Sequence, residues 1–329
     1  MKLALIGTGK IVQEALMALQ EIPAAKIARQ AIFGRPHSRE KAEAMAAEFG
    51  IAKVYTDYAE LLADPAIDFV YIGLVNSVHY SYTKQALMAG KNVILEKPST
   101  SSYIETKELA DLAVANGLYL FEAVTLLHMP NFRGIQAALD ELGDIKLIQC
   151  NYSQYSSRYD AYKEGTVLPA LDPSMYGGAL YDINIYNLNF VIGLFGAPRM
   201  VHYMANKGFN GVDTSGVLVL QYTDFTAVCV GAKDSDSPCG LTIQGDKGYI
   251  HVEGAPNVLT NFTLSVGGRT ETKQLNTYEH RMVHEFLSFF EIYEKKDYAR
   301  MEAGLEISKL VIQTAEQAGQ SAGIRYGRI

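Results

Sequence analysis

Tryptophan is absent from this chain of 329 residues, and cysteine occurs only three times, at Cys150, Cys229 and Cys239. Thiols so few and so widely spaced match no zinc, dithiol or disulfide pattern, so a reducing compartment is expected, the cytoplasm by default. Basic charge is also short. The 29 Lys and Arg stand against 36 Asp and Glu, a net charge of −7 with no cationic cluster. Nothing could neutralise a row of phosphates, which excludes a nucleic-acid partner. No apolar run approaches the roughly 18 residues of a membrane span, and "MKLALIGTGK" is too brief in its apolar part for a signal segment. Neither insertion nor export is expected. Tyrosine, by contrast, is plentiful: 21 are present, several crowded between Tyr152 and Tyr186. An apolar ring with a polar tip suits a wet substrate cleft or a subunit interface.

The length exceeds one ordinary core and predicts two domains, 1–121 and 122–329. Through the first, short apolar runs ("KLALIG", "ARQAIFG", "FVYIGLV", "NVILEK") alternate with longer amphipathic ones ("IVQEALMALQEI", "SREKAEAMAAEFG", "YIETKELADLAVANG"). This rhythm predicts an α/β Rossmann domain, a doubly wound parallel sheet, with Gly50, Gly90 and Gly117 closing helices. Beyond "YLFEAV" and the helix "NFRGIQAALDEL" come mostly strand-like segments, from "IKLIQCNYSQY" through "GLTIQGDKGYIHVEG" to "FTLSVGG". They predict an α+β domain with a large, mostly antiparallel open sheet. Its free face needs cover, and a homodimer or homotetramer formed through it is expected. The last helical pattern, "EAGLEISKLVIQTAEQAG", packs on one of the two domains and could return to the first.

Gly7 and Gly9 stand between the first strand and the first helix, where a tight turn lets backbone approach a pyrophosphate at a helix N-terminus. Thr8, Lys10 and Ile11 belong to the same turn. The third glycine position of a dinucleotide fingerprint holds Val12 instead, which bears on helix–strand packing more than on phosphate contact. The second strand should end in an acid if NAD were bound, to hold the ribose diol. Gly34 and Arg35 stand there, with His37 following, and a guanidinium can hold a 2'-phosphate. NADP is therefore expected, with NAD as the alternative; a basic residue capping a loop is the plainer reading. "VILEKPSTSS" then runs from a β-branched strand straight into Glu96, Lys97 and Pro98, which reads as an active-site lip at a strand's carboxyl end.

Together, the N-terminal glycine turn, "LVNSVHYSYTKQALMAGKNVILEKP", "FEAV" and "GGALYDINIYNLNFVIGLFGAP" resemble the glucose-fructose oxidoreductase and inositol dehydrogenase family over nearly the whole chain. The last motif is most similar to the branch with dimeric dihydrodiol dehydrogenase and NADP-linked xylose dehydrogenase. The resemblance implies an NAD(P)-dependent oxidoreductase acting on a secondary alcohol of a sugar, cyclic polyol or dihydrodiol. It implies that Lys97 touches the nicotinamide side and the reacting oxygen, that Glu96 faces the cofactor ribose, and that Glu122 lies near the nicotinamide ribose. Leu74, Asn76 and His79 border the cofactor, with Val75 where relatives have proline. Asp182 and Tyr186 match the family's substrate-side pair, and Asn184 replaces a glycine between them, which would narrow the pocket or shift Tyr186.

Four residues apart, Asp182 and Tyr186 share one face of a helix. A phenol with an ordinary pKa of about 10 is a poor base near neutrality, and an ammonium nearby lowers it. Lys97 and Tyr186 are thus read as the proton-transfer pair, with Asp182 orienting a substrate hydroxyl or holding Lys97. A non-catalytic NAD(P)-binding regulator of the same fold is the alternative, although it would need neither member of that pair. Reduction of a tetrapyrrole bridge would need a wide apolar pocket, against which the polar stretch from Asn151 to Tyr162 argues. The Tyr-x-x-x-Lys matches from Tyr80 and Tyr159 are read as chance. His280 and His284, at zinc-like i, i+4 spacing, are read as a solvated helix face, and no metal is expected.

Overall fold

The computed structural model describes residues 1–327, in two compact units. One comprises residues 1–123 and 280–308, the other 124–279 and the residues from 309 onward. In the first, six parallel strands run in the order β3-β2-β1-β4-β5-β6. They are β1 (Lys2–Ile6), β2 (Ala28–Phe33), β3 (Lys53–Tyr55), β4 (Phe69–Ile72), β5 (Asn92–Glu96) and β6 (Leu120–Ala123). Between them lie helices α1 (Lys10–Gln20), α2 (Arg39–Phe49), α3 (Tyr58–Ala63), α4 (His79–Met88) and α5 (Tyr103–Ala115). β4 and β6 are buried at every position, as strands covered on both faces must be. The helix Arg281–Glu294, which follows the second sheet in sequence, counts with this first unit because its aromatic face completes the core. Phe289 stacks on Phe121 with ring centres 4.6 Å apart, and Phe286 lies 5.7 Å from Tyr71.

The order of the strands reverses between β1 and β4, and this is where open α/β sheets bind ligands, outside the carboxyl ends of the strands. Everything at that edge follows from which residues end β1, β2, β4 and β5.

The second unit is built on eight strands, ordered β14-β13-β12-β11-β7-β10-β9-β8. They are β7 (Ile145–Ser153), β8 (Met200–Lys207), β9 (Asp213–Gln221), β10 (Thr226–Ala232), β11 (Gly240–Gly245), β12 (Gly248–Glu253), β13 (Phe262–Val266) and β14 (Arg269–Lys273). All neighbours are antiparallel except β10 with β7. β10 alternates half-buried Val228 and Val230 with buried Ala227 and Cys229, the period-2 pattern of a sheet with one covered face. The helix Ile185–Phe195 is buried at every position through Ile192. The crowded tyrosines divide differently from the expectation of a wet cleft. Tyr162 and Tyr181 are core residues, the former stacked on Phe209 at 4.4 Å, while Tyr155 is exposed. Without tryptophan, tyrosine rings fill apolar volume here.

Candidate active site

Gly7 adopts φ +117°, and a Cβ there would stand 2.6 Å from the Gly73 carbonyl oxygen, so only glycine fits the turn after β1. Gly9 caps α1 with no side-chain hydrogen bond, and a Cβ on it would meet nothing within 4 Å. Open space therefore lies before a helix start whose first amides lack a capping side chain, which fits a pyrophosphate. Val12, in the third glycine's place, is fully buried, and its Cγ2 occupies the position a Gly73 side chain would need, 2.7 Å from that Cβ. The close helix–strand approach is kept by removing bulk from the strand end instead.

After β2, Gly34 is buried and Arg35 is exposed. A Cβ on Gly34 would lie 3.3 Å from the Thr8 methyl, which brings this strand end beside the glycine turn. Arg39 is tied to Glu43 at 2.8 Å, whereas Arg35 makes no ion pair among the described residues and His37 is exposed. Lys10 is mostly solvated, 3.7 Å from Glu14. Ile11, Leu74 and Asn76 are half-buried along the same edge.

β5 delivers Glu96 and Lys97, and the Lys97–Pro98 bond is cis. Lys97 is half-buried. Glu96 is buried, and its Oε1 accepts the Tyr71 hydroxyl at 2.6 Å. His79 is fully buried and bracketed by the carbonyls of Pro98 at 2.8 Å and Leu74 at 3.0 Å. Burial holds its pKa below the usual histidine range; a neutral ring donates its single N–H to one of these two carbonyls, and the ring packs between the loop after β4 and the turn after β5. Glu122, at the end of β6, is likewise buried and accepts the Ser99 amide at 2.7 Å. These three residues, expected at the cofactor's border, shape the Lys97 turn from beneath.

A third carboxyl joins them. Glu285 is wholly buried, neither of its oxygens has a hydrogen-bond partner among the described residues, and burial raises its pKa well above the ordinary value. Its neighbour His284 is buried too, which corrects the reading of a solvated helix face. Desolvation pushes Glu122 up to about 7, and the charge of Glu96 adds to this. A folded carboxyl with a raised pKa binds more protons than the unfolded chain. Its stabilisation is complete below the ordinary range near 4.5 and is lost as pH rises through about 7. Glu122→Gln keeps an acceptor for Ser99 and removes this penalty. At pH 8 the variant is expected to be more stable than the parent by up to roughly 3 kcal/mol, the advantage fading toward pH 5. Urea unfolding at both pH values checks this, and an equal difference at both would show that Glu122 does not titrate there.

In the second unit, "GGALYDIN" forms a π-helical turn over Leu180–Asn184 that leads into the helix Ile185–Phe195. Sequence spacing predicted a plain α-helix here; π-turns recur at functional sites. Its start is held by Asp213, fully buried, whose Oδ2 accepts the Leu180 amide at 2.6 Å and the Tyr203 hydroxyl at 2.8 Å. The Tyr326 hydroxyl donates to Oδ1 at 2.7 Å. Asn184, which stands where relatives have glycine, is docked against the sheet. It is fully buried, donates to the Cys229 carbonyl at 3.1 Å and lies against Gly231, so it ties the turn to β10. Asn187 adds a bond to the Val230 carbonyl at 2.9 Å. Asp182 pairs with Lys233 at 2.5 Å. Tyr186 is nearly buried, its ring 5.9 Å from that of Tyr152. Sequence reasoning passed over Lys233, Asp213 and Glu285. Only Asp213 carried a local hint, an acid opening an apolar strand.

Residues 1–124 match the model of the oxidoreductase family with an NAD-binding Rossmann fold, and residues 132–251 match the GFO/IDH/MocA C-terminal domain. The scyllo-inositol 2-dehydrogenase (NADP+) IolU of Bacillus subtilis is 32% identical over 99% of this chain and 98% of its own length. This chain belongs to the GFO/IDH/MocA oxidoreductase family. The trans-1,2-dihydrobenzene-1,2-diol dehydrogenase of Xenopus tropicalis is 33% identical over 76% of this chain and 74% of its own. KijD10, a 3-ketoreductase from Actinomadura kijaniata solved with NADP and TDP-benzene, shares the fold with a TM-score of 0.81 and 22% identity, covering 94% and 95% of the two chains. So does a Synechocystis biliverdin reductase, at 0.76 and 18%, covering 97% and 99%. The family member described here is an NAD(P)-dependent oxidoreductase of CH–OH groups, with the Rossmann unit and the mostly antiparallel sheet its sequence predicted. Among the described residues no helix is long and apolar enough to cross a membrane.

Proposed function

We propose that this enzyme is NADP-linked and interconverts a secondary alcohol and a carbonyl on a cyclic polyol, a sugar or a dihydrodiol. The observation that carries the cofactor choice is the end of β2, where exposed Arg35 stands in place of a ribose-binding acid. The polyol class rests on IolU and the dihydrodiol dehydrogenase as relatives along most of the chain. Both are enzymes, which favours turnover over a regulator. Gly7, Thr8, Gly9, Lys10 and Ile11 would hold the pyrophosphate, with Gly34, Arg35 and His37 at the adenosine end and Leu74 and Asn76 along the edge.

The nicotinamide ring, when bound, accepts or supplies the hydride. Lys97 and Tyr186 carry the accompanying proton to or from the substrate oxygen, and Asp182 receives a substrate hydroxyl. Fluorescence titration with NADPH and NADH, then an absorbance screen of polyols, aldoses and dihydrodiols, tests this reading. Cofactor binding without turnover across the panel would return the regulator. Arg35→Ala should weaken NADPH about tenfold to a hundredfold while leaving NADH nearly unchanged, the cost of one charge-assisted phosphate contact. Equal losses for both cofactors would move the 2'-phosphate elsewhere.

We also infer a homo-oligomer through the open sheet. Val217 faces Val230 and Val219 faces Val228 across β9 and β10, all half-buried, and Met200 and Met204 of β8 are more than half exposed. Such an apolar stripe favours pairing with a second copy. Sedimentation showing a monomer at micromolar concentration would exclude it. Three free cysteines, two of them buried, support a cytoplasmic location.

A further inference from the structure

Lys233 is 1% exposed, in the segment that follows β10. A lone lysine ammonium is costly to bury, so its partners deserve an accounting. Its Nζ donates to Asp182 Oδ2 at 2.5 Å and to the Ala170 carbonyl at 2.6 Å. Its own backbone is fixed at both ends, the amide to the Thr214 carbonyl at 2.8 Å and the carbonyl to the Ser156 amide at 2.9 Å. The neighbouring acid, Asp234, is occupied elsewhere, accepting the hydroxyls of Thr214 and Ser215. Asp182 nonetheless keeps 40% of its side chain exposed. Its carboxylate is thus gripped by a buried cation while part of its side chain reaches the surface.

The same ammonium also holds the loop that carries Ala170. Gly177 packs so closely under that loop that a Cβ would stand 2.4 Å from the Pro169 carbonyl oxygen. One buried cation therefore joins the 169–172 loop to the π-helical turn, and Asn184 and Asn187 dock that turn along β10 in the same direction. We infer that Lys233 is a positioning residue for the reaction, holding Asp182 in the rotamer in which it receives a substrate hydroxyl. This rests on the proposed substrate-side role of Asp182. A lysine kept only for stability has a cheaper substitute, since an apolar side chain of similar volume often does as well in such a place.

The test is steady-state kinetics with whichever polyol the wild-type enzyme turns over. Lys233→Met is expected to raise KM about tenfold or more, the loss of a hydrogen bond to a charged group, with kcat changed less than about threefold and NADPH affinity unaltered. In an Asp182→Asn background the same substitution should add less than about twofold, because the lysine acts through the aspartate. Should Lys233→Met fail to fold, Lys233→Gln keeps a donor for Ala170, removes the charge from Asp182, and carries the same comparison. Wild-type KM in either folded variant, or a full-sized loss in the Asp182→Asn background, would overturn the inference while leaving the polyol reading intact. A wild-type enzyme that turns over no member of the panel would overturn both.

Discussion

Lys97→Met is expected to lower kcat by about a hundredfold to ten-thousandfold, the range that a positioned proton-transfer group contributes. Methionine nearly matches the lysine stem in volume, so the half-buried site between Glu96 and the cis-proline stays filled. What is lost is the ammonium. That charge draws the pKa values of Glu96 and Glu122 down against the larger effect of burial, and without it both hold protons more tightly. The Tyr71 and Ser99 hydrogen bonds would then contact carboxyls that are more often neutral, and the turn should survive because both oxygens still accept. NADPH affinity should change by less than about fivefold, since the residues proposed for the pyrophosphate and the 2'-phosphate lie at the ends of β1 and β2. Turnover close to wild type would remove the lysine from the mechanism. Affinity lost in proportion to turnover would make it a cofactor ligand only.

The largest effect on stability should come from a single methyl at Gly178. This residue has φ +112°, and its Cβ would lie 2.0 Å from Asp213 Oδ1. Asp213 cannot yield cheaply. It is fully buried, desolvation pushes its pKa up to about 6, and it receives Tyr203, Tyr326 and the Leu180 amide. Gly178→Ala should therefore cost about 3–5 kcal/mol, combining backbone strain with a displaced carboxylate. Gly165 supplies the control, because it has φ +93° but open space around its Cβ, and alanine there should cost about 1–2 kcal/mol. Denaturant unfolding of both variants separates strain from contact. Equal costs would mean that the Asp213 cluster does not depend on this approach.

How much of this was legible in the sequence depends on how local the cause is. Five of the six parallel strands, the glycine turn and the Glu96-Lys97-Pro98 turn could be read because each is set by neighbours within a few residues. β3 and β14 escaped notice: one is three residues long and the other, "RTETK", has no apolar face, so neither shows a period. Asp182 and Tyr186 were found by motif, but the π-turn between them was not, since the docking of Asn184 and Asn187 on β10 comes from a strand more than forty residues away. Lys233 sits in "AKDSDSP", which reads as a solvated polar turn. Nothing in that string reveals a buried cation. Glu285 was hidden for the complementary reason, an acid in a helix being the commonest of surface residues until the fold places it inside.

The pairing of Val12 with Gly73 carries a lesson about fingerprints. A consensus assigns smallness to one column, yet what the fold demands is a joint volume limit across two columns about sixty places apart. A chain can meet that limit from either side. Scored column by column, this one carries a defect at its first helix; scored as a sum, it carries none, and drift that exchanges the two side chains would leave the phosphate turn where it is.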